Sequence, residues 1–168
     1  PPVYFPFFST VEQNGRYLIK NPLLRKGDEY IMDLESLTAQ IDARTRMIFL
    51  CNPHNPVGRA WKEDELRALG NLCVEQDIII ISDEIHCDLV LPGHKHTPMA
   101  SLSEEIAART VTCMAPSKTF NLAGLATSHL IISDEKLRKT FNNTLETVHV
   151  GMGNIFGAVA AQAAYEQG

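Results

Sequence analysis

Three apolar runs in this 168-residue chain each end in residues able to do chemistry. Met47 to Cys51 leads into Asn52 and Asn55, Ile78 to Ile81 into Asp83 and His86, and Thr110 to Met114 into Ser117 and Lys118. A lysine amine can add to a carbonyl as a Schiff base. A carboxylate can pair with a protonated ring nitrogen, and an amide can donate to a phenolate oxygen. Taken singly, each residue has a plainer use. Lys118 reads as a solvated lysine at a strand end, Asp83 as a helix cap or loop carboxylate, and Asn55 as an Asn-Pro turn residue.

The elements between these residues decide whether they can meet. Arg46 to Cys51 is a near-continuous apolar run and predicts a buried strand. Ile78 to Ile81, four β-branched residues in a row, predicts a strand buried on both faces. Thr110–Met114 and Leu130–Ile132 predict two more, and Arg16–Ile19 a short one. Helices are expected at Phe7–Gln13, stopped by Asn14-Gly15, and after Asp33, with Leu34, Leu37 and Ile41 on one face. Others should run from about Lys62 to Gln76, and from the cap Asp134 through Leu137, Phe141 and Leu145. Gly151 and Gly153 separate that helix from a last, alanine-rich one.

Strands alternating with helices predict an α/β fold, a mostly parallel sheet flanked by helices. The link around Leu125 is too short for a helical crossover, so one strand pair should be antiparallel. In an open α/β sheet, ligands sit outside the carboxyl ends of the strands. Parallel strands would bring the amide, carboxylate, imidazole and amine to one edge. Pyridoxal phosphate needs two such partners, a lysine for its aldehyde and an acid that keeps its pyridine nitrogen protonated.

Three segments carry a family likeness. They are Cys51-Asn52-Pro53-His54-Asn55-Pro56-Val57-Gly58-Arg59 with Trp61, Ser82-Asp83-Glu84-Ile85-His86-Cys87-Asp88-Leu89, and Ala115-Pro116-Ser117-Lys118-Thr119-Phe120-Asn121-Leu122-Ala123-Gly124-Leu125. In this order and spacing the chain resembles, along essentially its whole length, the large domain of the fold-type I pyridoxal-phosphate enzymes, the class I and II aminotransferase superfamily. Within it the likeness is greatest to the cystathionine β-lyase, or C–S lyase, branch. The resemblance implies that Lys118 forms the Schiff base, Asp83 meets the pyridine nitrogen and Asn55 donates to the phenolate oxygen. It implies that Tyr4 stacks on the cofactor ring, with a core aromatic as the other reading. His86 stands where many aminotransferases have a tyrosine, and this favours the lyase branch.

Two positions depart from the aminotransferase pattern. Ala115 stands where a phosphate-holding hydroxyl is usual, which leaves Ser117 beside it. Ala126 stands where a basic residue is common, and Asn121-Leu122-Ala123-Gly124-Leu125 replaces the basic motif. The resemblance implies β-elimination of cystathionine or related cysteine S-conjugates to a thiol, pyruvate and ammonia. An aminotransferase is the alternative, and a non-catalytic truncated or regulatory relative is the reading from another class. A homodimer acting on a small amino-acid substrate is implied for the intact protein.

Composition narrows the partners. The chain is 45% hydrophobic and 21% charged with a formal net charge of −5. No basic block invites nucleic acid, and no apolar run approaches the about 18 residues of a membrane span. Cys51, Cys73, Cys87 and Cys113 lack C-x-x-C spacing and read as reduced, mostly buried thiols of a cytoplasmic protein. His94-Lys95-His96 has no further ligand to suggest metal and reads as a solvated loop. His54 reads as loop structure, and Glu84 as a cap for the next helix. The aromatic, proline-punctuated start and the alanine-rich end predict an internal piece of the large domain, with an N-terminal segment and a C-terminal small domain outside it.

Overall fold

The computed structural model describes residues 1–151 and 153–168. Its centre is a four-stranded sheet. Strands β3 (Met47–Cys51), β4 (Ile79–Asp83) and β5 (Thr110–Met114) are parallel, and β6 (His129–Ile132) pairs antiparallel with β5, in the order β3-β4-β5-β6. Between β5 and β6 lies only a 3-10 turn, Ala123–Leu125. No crossover fits there, so β6 runs back along β5. The expected α/β architecture is present.

Helix boundaries follow side-chain chemistry. Helix α2 (Leu34–Gln40) is capped by the Asp33 carboxylate, which accepts from the Ser36 N–H at 2.9 Å. Helix α5 (Glu135–Thr147) is capped by Asp134, which accepts from the Leu137 N–H at 2.7 Å. Helix α3 (Glu63–Glu75) carries Glu63, Asp64 and Glu65 in its first turn, where acidic groups oppose the positive end of the helix dipole. Helices α1 (Pro6–Gln13) and α6 (Ile155–Gln167) complete the expected set.

The core lies on one face of the sheet. Leu66, Leu69 and Cys73 of α3 pack with Trp61, Ile78, Ile80, Met99, Leu102 and Ile106. Helix α3 sits so close that a Cβ on Gly70 would lie 2.5 Å from the Ile106 side chain and 2.9 Å from that of Met99. Ile106 belongs to α4 (Glu104–Ala107), a short helix capped by Ser103.

The opposite face is covered less. Along β4, Ile80 and Ser82 are buried whereas Ile79, Ile81 and Asp83 are half-buried. In β3, Met47 is 53% exposed. The expectation of strands buried on both faces therefore fails here. Phe7 of α1 stacks on Phe49 at 5.3 Å, but this contact reaches only part of the surface.

One further expectation needs correction. Arg16–Ile19 forms no strand, because nothing pairs with it, and Tyr17 is 91% exposed. The chain instead forms a hairpin farther on, β1 (Leu24–Lys26) against β2 (Glu29–Ile31). Gly27, at φ +62°, makes its turn. Of the four thiols, Cys51 and Cys73 are buried and Cys87 and Cys113 half-buried.

Candidate active site

Three parallel strands end together. Cys51, Asp83 and Cys113 occupy one register row across β3, β4 and β5. Backbone bonds extend the row, with Asn52 N–H donating to the Asp83 carbonyl at 2.9 Å and Glu84 N–H to the Cys113 carbonyl at 2.9 Å. Beyond it lie three loops. One carries Asn55, the next His86, and the last Ser117 and Lys118. The loops that carry the predicted residues thus share the carboxyl edge of the sheet.

Successive residues at the end of β4 project to opposite faces. Asp83 looks to the loosely covered face. Its carboxylate accepts from the Ile85 N–H at 3.2 Å. Burial pushes its pKa up from the ordinary carboxylate value, while the nearby charges of His86 and Lys118 pull it down. Both side chains therefore lie close enough to act on it. Among the described residues, the Lys118 amine, the His86 ring, the Ser117 hydroxyl and the Asn55 amide have no side-chain hydrogen bond or ion pair. Lys118 is exposed, and the other three are half-buried.

Tyr4 is placed differently. The Pro2 carbonyl lies 2.8 Å from His54 Nε2, which ties the N-terminal segment to the loop after β3. The Tyr4 ring, 44% exposed, contacts Phe5 and Phe7 at ring-centroid distances of 5.7 and 5.9 Å. It is not buried as a core aromatic. Ala115 is buried and offers no hydroxyl, and Ala126 takes a left-handed φ of +47°.

Behind this edge, on the core face, lies a second polar cluster. Glu84 is 1% exposed. One of its oxygens accepts from Ser82 Oγ at 2.8 Å and from the Met99 N–H at 3.0 Å; the other meets His96 Nε2 at 2.8 Å. Asn52, fully buried, donates to the Thr97 carbonyl at 3.0 Å and accepts from the Trp61 N–H at 3.2 Å. His96 is thus no part of a solvated loop. Glu84 does meet the first N–H of the next 3-10 turn, Met99–Ser101, but mainly it is a buried three-donor hub. The alternation of residues 82 to 84 was the one sequence signal for this split, since it sends Asp83 to one face and Ser82 and Glu84 to the other.

The thiols are not nucleophiles at neutral pH. Burial, the main cause in each case, pushes Cys51, Cys87 and Cys113 up to about 11 and Cys73 to about 12. An amine, a carboxylate, an imidazole and an amide with free polar atoms remain as the reactive set. They suit a ligand with a carbonyl, a ring nitrogen and hydrogen-bonding oxygens.

The chain is similar to cystathionine beta-lyase PatB of Bacillus subtilis (strain 168), with 50% identity over 169 residues, covering 100% of this chain and 44% of that protein. Its structure matches cystalysin from Treponema denticola, which contains a pyridoxal 5'-phosphate cofactor, with a TM-score of 0.95 and 37% identity over 99% of this chain and 42% of the other. It also matches N-succinyldiaminopimelate aminotransferase from Mycobacterium tuberculosis, with a TM-score of 0.88 and 26% identity over 98% of this chain and 42% of the other. The chain spans less than half the length of these relatives. The match to the family described as aminotransferase class I and II runs over residues 1–167, and the chain belongs to that family.

Proposed function

We propose that the protein is a pyridoxal-phosphate-dependent C–S lyase that releases a thiol, pyruvate and ammonia from cystathionine or a related cysteine S-conjugate. The observation that carries this reading is the set of unpartnered polar groups at the sheet edge. Lys118, Asn55 and His86 come from three loops and carry no side-chain bond, Asp83 stands at the end of β4 with a single bond from the Ile85 N–H, and the set suits the cofactor's aldehyde, ring nitrogen and phenolate oxygen. When bound, pyridoxal phosphate supplies an electron sink for negative charge at the substrate α-carbon.

The chain's own residues do the rest. Lys118 Nζ would hold the cofactor by its aldehyde and would serve as the general base for the substrate α-proton. The Asp83 carboxylate pairs with the ring nitrogen. Its burial strengthens that pairing, because a half-dry carboxylate binds a proton-bearing partner more tightly than a solvated one. Asn55 and His86 would donate to the phenolate oxygen, and Tyr4 would pack against the ring. Ser117, whose hydroxyl is free where that of Thr119 is bonded to Asp88, would serve the phosphate, since Ala115 and Ala126 have no hydroxyl to give. The thiol leaves from the β-carbon with the bonding pair and a proton, and water completes the release of pyruvate and ammonia.

His86, the segment Asn121–Leu125 and the similarity to cystathionine beta-lyase favour elimination. The similarity to an aminotransferase keeps amino transfer as the second reading. A homodimer in the cytoplasm is the setting we assign to the intact protein. The test is pyruvate release from cystathionine by the full-length protein with no 2-oxo acid added. Release that disappears in Lys118→Ala supports elimination. Turnover only after a 2-oxo acid is supplied moves the protein to amino transfer, and no turnover under either condition supports a non-catalytic relative.

A further inference from the structure

The turn that bears Lys118 and the turn that bears His86 leave the sheet from separate strands, β5 and β4. The first is closed by the Phe120 N–H donating to the Pro116 carbonyl at 2.9 Å. The second is closed by the Cys87 N–H donating to the Glu84 carbonyl at 2.9 Å and the Leu89 N–H to the His86 carbonyl at 3.0 Å. Among the described residues, one side-chain hydrogen bond joins them. Thr119 Oγ1 donates to Asp88 Oδ2 at 2.8 Å. Thr119 directly follows Lys118, and Asp88 lies two residues after His86.

We propose that Asp88 and Thr119 are positioning residues, which fasten the Lys118 turn to the His86 turn and so fix the amine relative to Asp83. The proposal rests on the reading of Lys118 as the cofactor-binding amine. Two observations besides the bond support it. Phe120, next along the same turn, packs edge-on against Tyr165 of α6 at 5.2 Å, so the turn is held from behind as well. The bond itself is open to solvent, with Asp88 exposed and Thr119 half-buried. Such a bond adds little to folding stability. Its value lies in geometry, because a small displacement of a reacting group costs far more in rate than the bond contributes to the fold.

The experiment uses the full-length protein stripped of cofactor. Pyridoxal phosphate is added, and its dissociation constant and rate of attachment are read from absorbance. Attachment is mapped to Lys118 by borohydride reduction and peptide analysis. Amide hydrogen exchange of residues 116–120 is followed before addition. Thr119→Val and Asp88→Ala should each weaken cofactor binding by about tenfold, because binding must then order a Lys118 turn that the bond no longer holds. Thr119→Ser, which keeps the hydroxyl, should stay within about twofold of the parent. The double variant should be no worse than either single one, because both remove the same bond. Exchange at 116–120 should quicken equally in the two single variants.

Unchanged binding in Thr119→Val overturns the proposal, as do a Thr119→Ser defect equal to that of valine and losses that multiply in the double variant. If the parent itself forms no adduct at Lys118, the cofactor reading fails, and exchange alone then decides. Equal quickening in the two single variants keeps the coupling of the turns; unaltered exchange overturns it.

Discussion

Two polar clusters meet at the end of β4, and they differ in how their atoms are used. On the core face, Glu84, Ser82, His96 and Asn52 are buried and bonded to one another or to backbone groups. At the open edge, Asp83 and the loop residues His86, Asn55, Ser117 and Lys118 leave most of their side-chain polar atoms free. A buried polar group without a partner costs stability, and the inner set is bonded almost throughout, with His96 Nδ1 the one side-chain polar atom of these four residues left without a partner. The outer set forgoes such bonds and keeps its atoms for a ligand. Adjacent residues, Asp83 and Glu84, thus serve opposite ends because strand alternation turns them to opposite faces.

Substitutions can break or sharpen this contrast. The largest effect is expected at Lys118. Lys118→Ala should lower turnover by about 10²–10⁴-fold, the range of a lost general base. Its unfolding free energy, measured by denaturant titration, should stay within about 0.5 kcal/mol of the parent. A large loss of stability would mean that the outer set is structural after all.

Glu84→Ala reverses the pattern. It strips Ser82 Oγ, the Met99 N–H and His96 of their common acceptor in a buried site. Destabilisation of about 3 kcal/mol is expected in the same titration, the cost of leaving buried donors without an acceptor. A change under about 1 kcal/mol would show that water reaches the cluster and replaces the carboxylate.

Asp83→Asn should raise the thermal midpoint slightly while harming cofactor binding. The Asp83 pKa is raised in the folded protein, mainly by burial. Folding therefore favours its protonated form, and the charged form weighs against the fold at any pH above the raised value. Removing the charge stabilises at neutral pH, and the gain fades as pH falls through the raised pKa toward the ordinary carboxylate value. Thermal melts at several pH values read both the sign and the window. A midpoint that falls at neutral pH would mean that the carboxylate helps hold the sheet edge together.

The smallest effect concerns the thiols. Cys51 and Cys73, 2% and 1% exposed and held at about 11 and 12, should resist a thiol reagent in the folded protein at neutral pH. Mass spectrometry after brief alkylation checks this. Rapid labelling of Cys51 would mean that the register row with Asp83 opens readily.

Much of this contrast was legible in the sequence, and unevenly so. The ends of β3, β4 and β5 could be read because apolar runs stop abruptly at polar residues. The antiparallel β6 followed from the length of the link before it. His96 could not be read as the partner of Glu84, because the contact spans twelve residues of irregular loop. The β1–β2 hairpin was missed because its strands are three residues each, too short for alternation to register. Arg16–Ile19 looked like a strand, yet propensity forms none without a neighbour to pair with. The same limit hid Thr119 and Asp88, whose meeting depends on two turns from different strands.

The central claim is that the free amine of Lys118 is the group around which the sheet edge is built. It is tested most directly by adding pyridoxal phosphate to the full-length protein, reducing with borohydride and mapping the modified lysines. The account predicts a single adduct, at Lys118, lost in Lys118→Ala and diminished in Asp83→Ala. Label spread over surface lysines such as Lys20, Lys26 and Lys62, or no adduct at all, would contradict it.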